Sequence, residues 1–193
     1  MIPAKVLGPD AGDHVLDMCA APGSKTTHIA ALMGNRGSID AWDVYPHKVK
    51  LIKDNAKRLG ISIIHTEVRD SVKPLPFLYE TYDKVLLDAP CSGLGVLGHK
   101  VELRWRRKES DLSVFPPLQK QLIEQAAKYT KTGGVLVYST CTLNPDENEH
   151  IINEFLSLHS EFAPEEFNFP VLGKSLNGMM TLYPDLSLIH ISE

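Results

Sequence analysis

The segment Val15–Thr27, reading V-L-D-M-C-A-A-P-G-S-K-T-T, constrains this chain more than any other. Val15 and Leu16 are apolar residues of the kind that fill a buried strand, Pro22-Gly23 breaks the chain sharply, and Lys25 to Met33 runs on with helical spacing. Strand, tight turn and helix in that order open a doubly wound α/β sheet. In such a sheet the first strand ends at the crevice where small molecules bind, and the next helix presents unpaired backbone N–H groups there. Small residues at Ala20, Ala21, Gly23 and Ser24 let a ligand lie against the backbone. The turn matches neither G-x-G-x-x-G nor G-x-x-x-x-G-K-[ST], which counts against dinucleotides and nucleoside triphosphates. Taken alone, a βα turn without any ligand is the plainer reading.

With 193 residues, 43% hydrophobic and 23% charged, the composition fits one soluble α/β domain with a sizeable core. No apolar run approaches the ~18 residues of a membrane span, and no basic segment precedes an apolar stretch at the start. A cytoplasmic, monomeric protein with no membrane partner is expected. The three cysteines include no C-x-x-C pair and the eight histidines are scattered, so neither a disulfide framework nor a metal site is expected. A net charge of −4 means that any nucleic acid must be met by a local patch or by another domain.

Residues 1–13, with Pro3, Gly8, Pro9 and Gly12, read as a lead-in rather than an element. Strands are predicted over Ser38–Asp43, Ile61–Val68, Asp83–Leu87 and Val135–Tyr138, and helices over Pro46–Leu59 and Pro117–Tyr129. Gly133-Gly134 reads as a turn. Asn144-Pro145-Asp146-Glu147 reads as an N-cap, a first-position proline and a capping-box glutamate opening a helix to about Leu158. Met179–Tyr183 is a weak strand candidate. Asp17, Asp43, Asp70 and Asp88 then fall at the ends of four successive strands, on one rim. Asp43, about 20 residues past the turn, is placed either to accept hydrogen bonds from a ribose or to cap the following helix. The segment 99–108 sets Trp105 among cations, as suits phosphates and an unstacked base, or else forms a solvated charged stretch.

Two of the cysteines, Cys91 and Cys141, follow the ends of neighbouring strands. Thiolates add readily to electrophilic carbon. Carbon 5 of a pyrimidine cannot take a methyl group directly, but a thiolate added at carbon 6 makes carbon 5 nucleophilic, and loss of the carbon 5 proton later expels the thiolate. Such chemistry needs a nucleophile and a base, roles that Cys141 and Cys91 fit, with Asp88 beside them in sequence.

The blocks DMCAAPGSKT, DAPCSGLG and YSTCTLNPDENE, in this order and spacing, resemble the Sun-type (NOL/NOP/Sun) RNA cytosine-5 methyltransferases, most of all the bacterial branch acting on 16S ribosomal RNA. The resemblance runs from about Val6 to Pro184. It implies a Rossmann-like S-adenosylmethionine-dependent methyltransferase fold, with a mostly parallel central sheet and helices on both faces. It also implies S-adenosylmethionine as cofactor and an RNA cytosine as substrate. Family roles fall on Cys19, Ala20, Ala21, Pro22, Gly23, Ser24, Lys25, Asp43, Asp70 and Asp88 for the cofactor, on Cys141 as nucleophile and on Cys91 for product release. In DNA cytosine methyltransferases the Pro-Cys cysteine, here Cys91, is instead the nucleophile. Cys19 is expected to pack as a small residue. Leu97-Gly98 and Val101 stand where family members commonly carry basic residues and a proline, which bears on RNA docking. A catalytic domain over 14–184 is expected, truncated at both ends, with 185–193 an unrelated tail where the family continues D-G-F-F-x-A. A truncated, non-catalytic binding module is the competing reading, and a nucleoside-dependent oxidoreductase is disfavoured by the missing glycine fingerprint.

Overall fold

In the computed structural model, which describes residues 1–98, 105, 109–169 and 173–182, the chain divides into two compact units. The first comprises residues 1–90 and 121–139, and the second residues 91–120 and 140–193.

The first unit is built on a five-stranded parallel sheet in the order β3-β2-β1-β4-β5, with β1 His14–Asp17, β2 Ser38–Asp43, β3 Ile64–Val68, β4 Tyr82–Asp88 and β5 Thr130–Ser139. The inner strands are buried over consecutive residues, as a sheet covered on both faces requires. Val15, Ile39, Leu86 and Val137 share one cluster with Ala4 and Leu7 of α1 (Ile2–Leu7) and with Ile29, Ala30 and Met33 along and just past α2 (Ser24–Leu32). Ala41 packs with Ile52 of α3 (Pro46–Arg58). The next strand residue, Trp42, points to the opposite face. There its ring meets that of Tyr129 edge-on at 5.6 Å, Tyr129 being the last residue of helix Phe115–Tyr129. Helices therefore cover both faces, as the α/β reading requires.

Four local readings need correction. The start of the chain is an element, because Pro3 sits in the first turn of α1, where its missing N–H costs nothing, and Gly8 closes the helix in the left-handed region at φ 55°. Its Ala4 and Leu7 are fully buried. Strand β3 begins at Ile64 rather than Ile61, since the Ile61 N–H still closes α3 on Ala56 and the Ser62 N–H is taken by the Asn35 side chain. Gly133-Gly134 lies inside β5 as a bulge. Tyr82 pairs with Thr130 and Lys84 with Val135, so β5 accommodates extra residues there. Gly133 takes φ +78°, and a Cβ on Gly134 would stand 2.8 Å from the Asp83 carbonyl oxygen. Finally, Pro145–Glu147 forms a separate 3-10 turn, and the α-helix proper starts at Glu149.

The second unit contains α4 (Glu109–Leu112), the first part of α5 (Phe115–Tyr129), α6 (Glu149–Leu158) and an antiparallel pair, β6 (Asn168–Phe169) with β7 (Gly173–Lys174). Phe155 of α6 is buried, stacked on His159 at 4.5 Å and edge-on to Phe162 at 5.2 Å. Met179 makes only an isolated bridge to Leu176, so no strand runs from it through Leu182. The expected strand's last residue, the tail 185–193 and all of the basic segment except Trp105 lie outside the described residues. Trp105 is exposed.

Candidate functional site

In the first unit, β1 delivers the chain into a turn made of Met18–Gly23. The Ala20 N–H reaches the Trp42 carbonyl at 2.8 Å, the Gly23 N–H bonds back to Ala20 at 2.7 Å, and Asn55 of α3 donates to the Pro22 carbonyl at 2.9 Å. The Ala21-Pro22 peptide is cis. Gly23 adopts φ +97°, and a Cβ there would lie 3.1 Å from the Ile52 backbone, so glycine is required. The small side chains at Ala20 and Ala21 leave the turn's backbone unobstructed, and Ser24 begins α2.

Asp17, Asp43 and Asp88 end their strands, as expected, whereas Asp70 lies two residues past the end of β3, and the surroundings of the four differ. Asp17 is fully buried, and its Oδ2 accepts from Thr26 Oγ1 at 2.7 Å while Oδ1 has no partner among the described residues. Burial is the main cause raising its carboxyl to about 7, opposed by the Thr26 hydrogen bond and reinforced by the charge of Asp88. Asp43 is buried, and its Oδ1 accepts the Tyr45 N–H at 3.0 Å just before α3. That bond closes a local turn before the helix; the N-cap of α3 is Tyr45 and receives no side-chain cap bond, so Asp43 does not cap it. Its Oδ2 has no partner among the described residues and remains available. Asp70 is turned to its own loop, accepting from the Val72 N–H at 3.2 Å with Lys73 3.7 Å away. Asp88 is held on both oxygens, by Lys25 Nζ at 2.6 Å and Ser139 Oγ at 2.7 Å.

Cys19 is half-buried within the turn. Burial, then the charges of Asp17, Asp43 and Asp88, push its thiol far above the ordinary range, so it stays protonated and unreactive. Its role as a packing residue fits these surroundings.

The second unit brings Cys91 and Cys141 together. Their sulfurs lie 3.2 Å apart, well beyond the ~2.05 Å of a disulfide, and the Cys141 N–H donates to Cys91 Sγ at 3.3 Å. Cys141 is exposed and Cys91 half-buried. The contact with Cys141, then burial, raises the Cys91 thiol above its ordinary range. The two loops are fastened in several places. Gly95 N–H reaches the Cys141 carbonyl at 3.0 Å, where a Cβ would come within 2.9 Å of that oxygen. Ser92 Oγ and Thr142 Oγ1, both buried, are 2.8 Å apart. Asn148 brackets Cys141, accepting from Thr140 Oγ1 at 2.6 Å and donating to the Thr142 carbonyl at 3.0 Å.

Sequence reasoning missed Ser139, Gly95, Glu147 and Asn148. Glu147 was taken for a capping-box residue, yet it is fully buried and its carboxylate accepts from Ser92 N–H and from the Gln119 and Asn144 side chains. The available signal was the density of amides and acids in N-P-D-E-N-E, more than one helix start needs.

Comparison with known proteins matches residues 4–187 to the family model of 16S rRNA methyltransferase RsmB/F. The "Probable ribosomal RNA small subunit methyltransferase B" of Bacillus subtilis (strain 168) is 44% identical over 166 residues, covering 86% of this chain and 37% of that protein. Human "tRNA (cytosine(72)-C(5))-methyltransferase NSUN6" is 44% identical over 156 residues, covering 75% of this chain and 33% of its own length. Among solved structures, NSun6 from Pyrococcus horikoshii with SFG, an S-adenosylmethionine analogue, superimposes with a TM-score of 0.75 at 41% identity. That match covers 81% of this chain and 40% of the archaeal one. The chain thus spans little more than a third of the relatives' length.

Proposed function

This chain belongs to the RsmB/F family of S-adenosylmethionine-dependent RNA cytosine-5 methyltransferases, and from that premise we propose that it carries the chemistry of cytosine methylation, with 16S ribosomal RNA as substrate. The observation that carries the reading is the pair of thiols at 3.2 Å, one exposed and one half-buried.

The residues present fit the cofactor. Asp43, a buried residue, keeps one carboxylate oxygen without a partner among the described residues, suited to ribose hydroxyls, and the turn Cys19–Lys25 offers small side chains beside it. Asp70 and Asp88 complete the acidic side of that binding region. When bound, S-adenosylmethionine supplies an electrophilic methyl group.

The exposed Cys141 adds its sulfur to carbon 6 of the cytosine, which makes carbon 5 nucleophilic. Once carbon 5 is methylated, its proton passes to a base, the electron pair it leaves restores the ring double bond, and the carbon–sulfur bond breaks to return the Cys141 thiolate. Cys91 assists that release. Exposure supports this division, because Cys141 is exposed and Cys91 only half so.

The test is to incubate Cys141→Ala and Cys91→Ala variants with S-adenosylmethionine and cytosine-containing RNA, and compare denaturing gels. Cys141→Ala should give neither methylation nor a protein–RNA adduct. Cys91→Ala should methylate once and accumulate an adduct, release being slowed by roughly 10²–10⁴-fold. The reverse pattern would make Cys91 the nucleophile. Parallel reactions on 16S rRNA and tRNA decide the substrate, since relatives named for each are equally similar at 44% identity. Absence of methyl transfer with cofactor binding intact would favour a binding module.

A further inference from the structure

Glu147 is fully buried, and no step of the proposed chemistry uses it. Its Oε2 accepts the Ser92 N–H at 2.8 Å and Gln119 Nε2 at 3.1 Å, and its Oε1 accepts Asn144 Nδ2 at 3.1 Å. These donors come from three segments: the residue after Cys91, helix α5, and the turn that follows Cys141. A buried carboxylate is costly to desolvate and is weak evidence for stability, since an apolar side chain of similar volume commonly serves as well. What a carboxylate does and an apolar group cannot is accept strong hydrogen bonds from several directions at once. Two of its bonds run to the loops that carry the thiols.

We propose that Glu147 is a positioning residue that holds the Cys91 loop against the Cys141 loop and so sets the thiol–thiol distance. The proposal rests on the roles given to the two cysteines above. The other fastenings, Ser92 to Thr142 and Gly95 to Cys141, run between the same loops. Loss of Glu147 therefore loosens the thiol pair without severing it. Gln119, in helix α5, anchors the clasp at a point outside both loops.

Glutathione disulfide exchange tests this in the 193-residue protein. One protein thiolate attacks glutathione disulfide, leaving a mixed disulfide and releasing one glutathione. The second cysteine then displaces the other glutathione, so two protein thiols are oxidised and one glutathione disulfide is reduced. The equilibrium reports the effective concentration of one thiol at the other. Glu147→Gln replaces one acceptor by a donor facing another donor, and Glu147→Asp keeps the charge with a shorter reach. We expect the effective concentration to fall about tenfold or more in Glu147→Gln, the change that 1.4 kcal/mol produces, and by less in Glu147→Asp. Calorimetric binding of S-adenosylmethionine should be unchanged in both.

An unchanged exchange equilibrium in folded Glu147→Gln would overturn the proposal. If that variant does not fold, Glu147→Asp decides: a wild-type equilibrium overturns the clasp and a lowered one supports it. The exchange involves neither RNA nor cofactor. Failure of the unsubstituted protein to methylate RNA therefore strikes the functional reading and leaves this measurement standing.

Discussion

Lys25 Nζ stands 2.6 Å from Asp88 Oδ2, so the helix after the first strand grips the carboxylate that ends the fourth. Both side chains are about a quarter exposed, and Ser139 takes the other Asp88 oxygen. The lysine on the turn after β1 therefore fixes an acid at the end of β4. Lys25→Met should leave that carboxylate part-buried with one hydrogen bond fewer. The expected cost is about 1–3 kcal/mol of stability, together with weaker cofactor binding. Denaturant titrations with and without S-adenosylmethionine measure both.

Asp43→Ala should weaken S-adenosylmethionine binding by about 1.5–3 kcal/mol, roughly ten- to a hundredfold, through loss of charge-assisted bonds to the ribose. The same change removes the acceptor for Tyr45 N–H at the entry to α3, so a loss of stability should accompany it. Calorimetry on the folded variant separates the two, and unchanged affinity would remove Asp43 from the binding region.

Asp17 gives the fold a pH dependence of unusual sign for a carboxylate. Its folded carboxyl sits at about 7, whereas the unfolded chain releases that proton near 3.8. Between these values the folded state holds a proton that the unfolded state has lost. Stability should therefore fall as pH rises from about 4 to about 7 and level off above, by a few kcal/mol at most. Asp17→Asn keeps an acceptor for Thr26 and removes the titration. Urea unfolding at pH 5 and pH 8 should show a smaller loss in Asp17→Asn than in the unsubstituted chain, and parallel losses would refute the assignment.

Gly95→Ala would place a methyl group 2.9 Å from the Cys141 carbonyl oxygen, a backbone atom that cannot swing aside. Relief must come from moving one loop, at a cost of about 1–3 kcal/mol. The rate of Cys141 alkylation by iodoacetamide should change in the variant while that of half-buried Cys19 stays low, as peptide mapping can show.

The sheet, its helices and the tight turn after the first strand were legible because buried strands and amphipathic helices write themselves into residue periodicity. Ser38–Asp43 matched to the residue. The misreadings share a cause. Pro3, Gly8, Gly133 and Gly134 read as punctuation between elements, but proline is at home in a helix's first turn and glycine inside a bulge. At the thiols, the cysteines stood out by their chemistry. Glu147 and Asn148 did not, because their hydrogen-bond partners at Ser92, Gln119, Thr140 and Thr142 are fixed by tertiary structure and leave no local period.

The bracket around Cys141 also determines how that residue can move. Its N–H is engaged by Cys91 Sγ, its carbonyl by Gly95, and both neighbouring threonines by the single Asn148 side chain. With φ and ψ locked on either side, the soft coordinate left is χ1, and χ1 has three staggered wells. Cys141 is thus placed as a lever on a fixed pivot: one bond rotation is enough to carry its sulfur away from Cys91, without any loop having to travel.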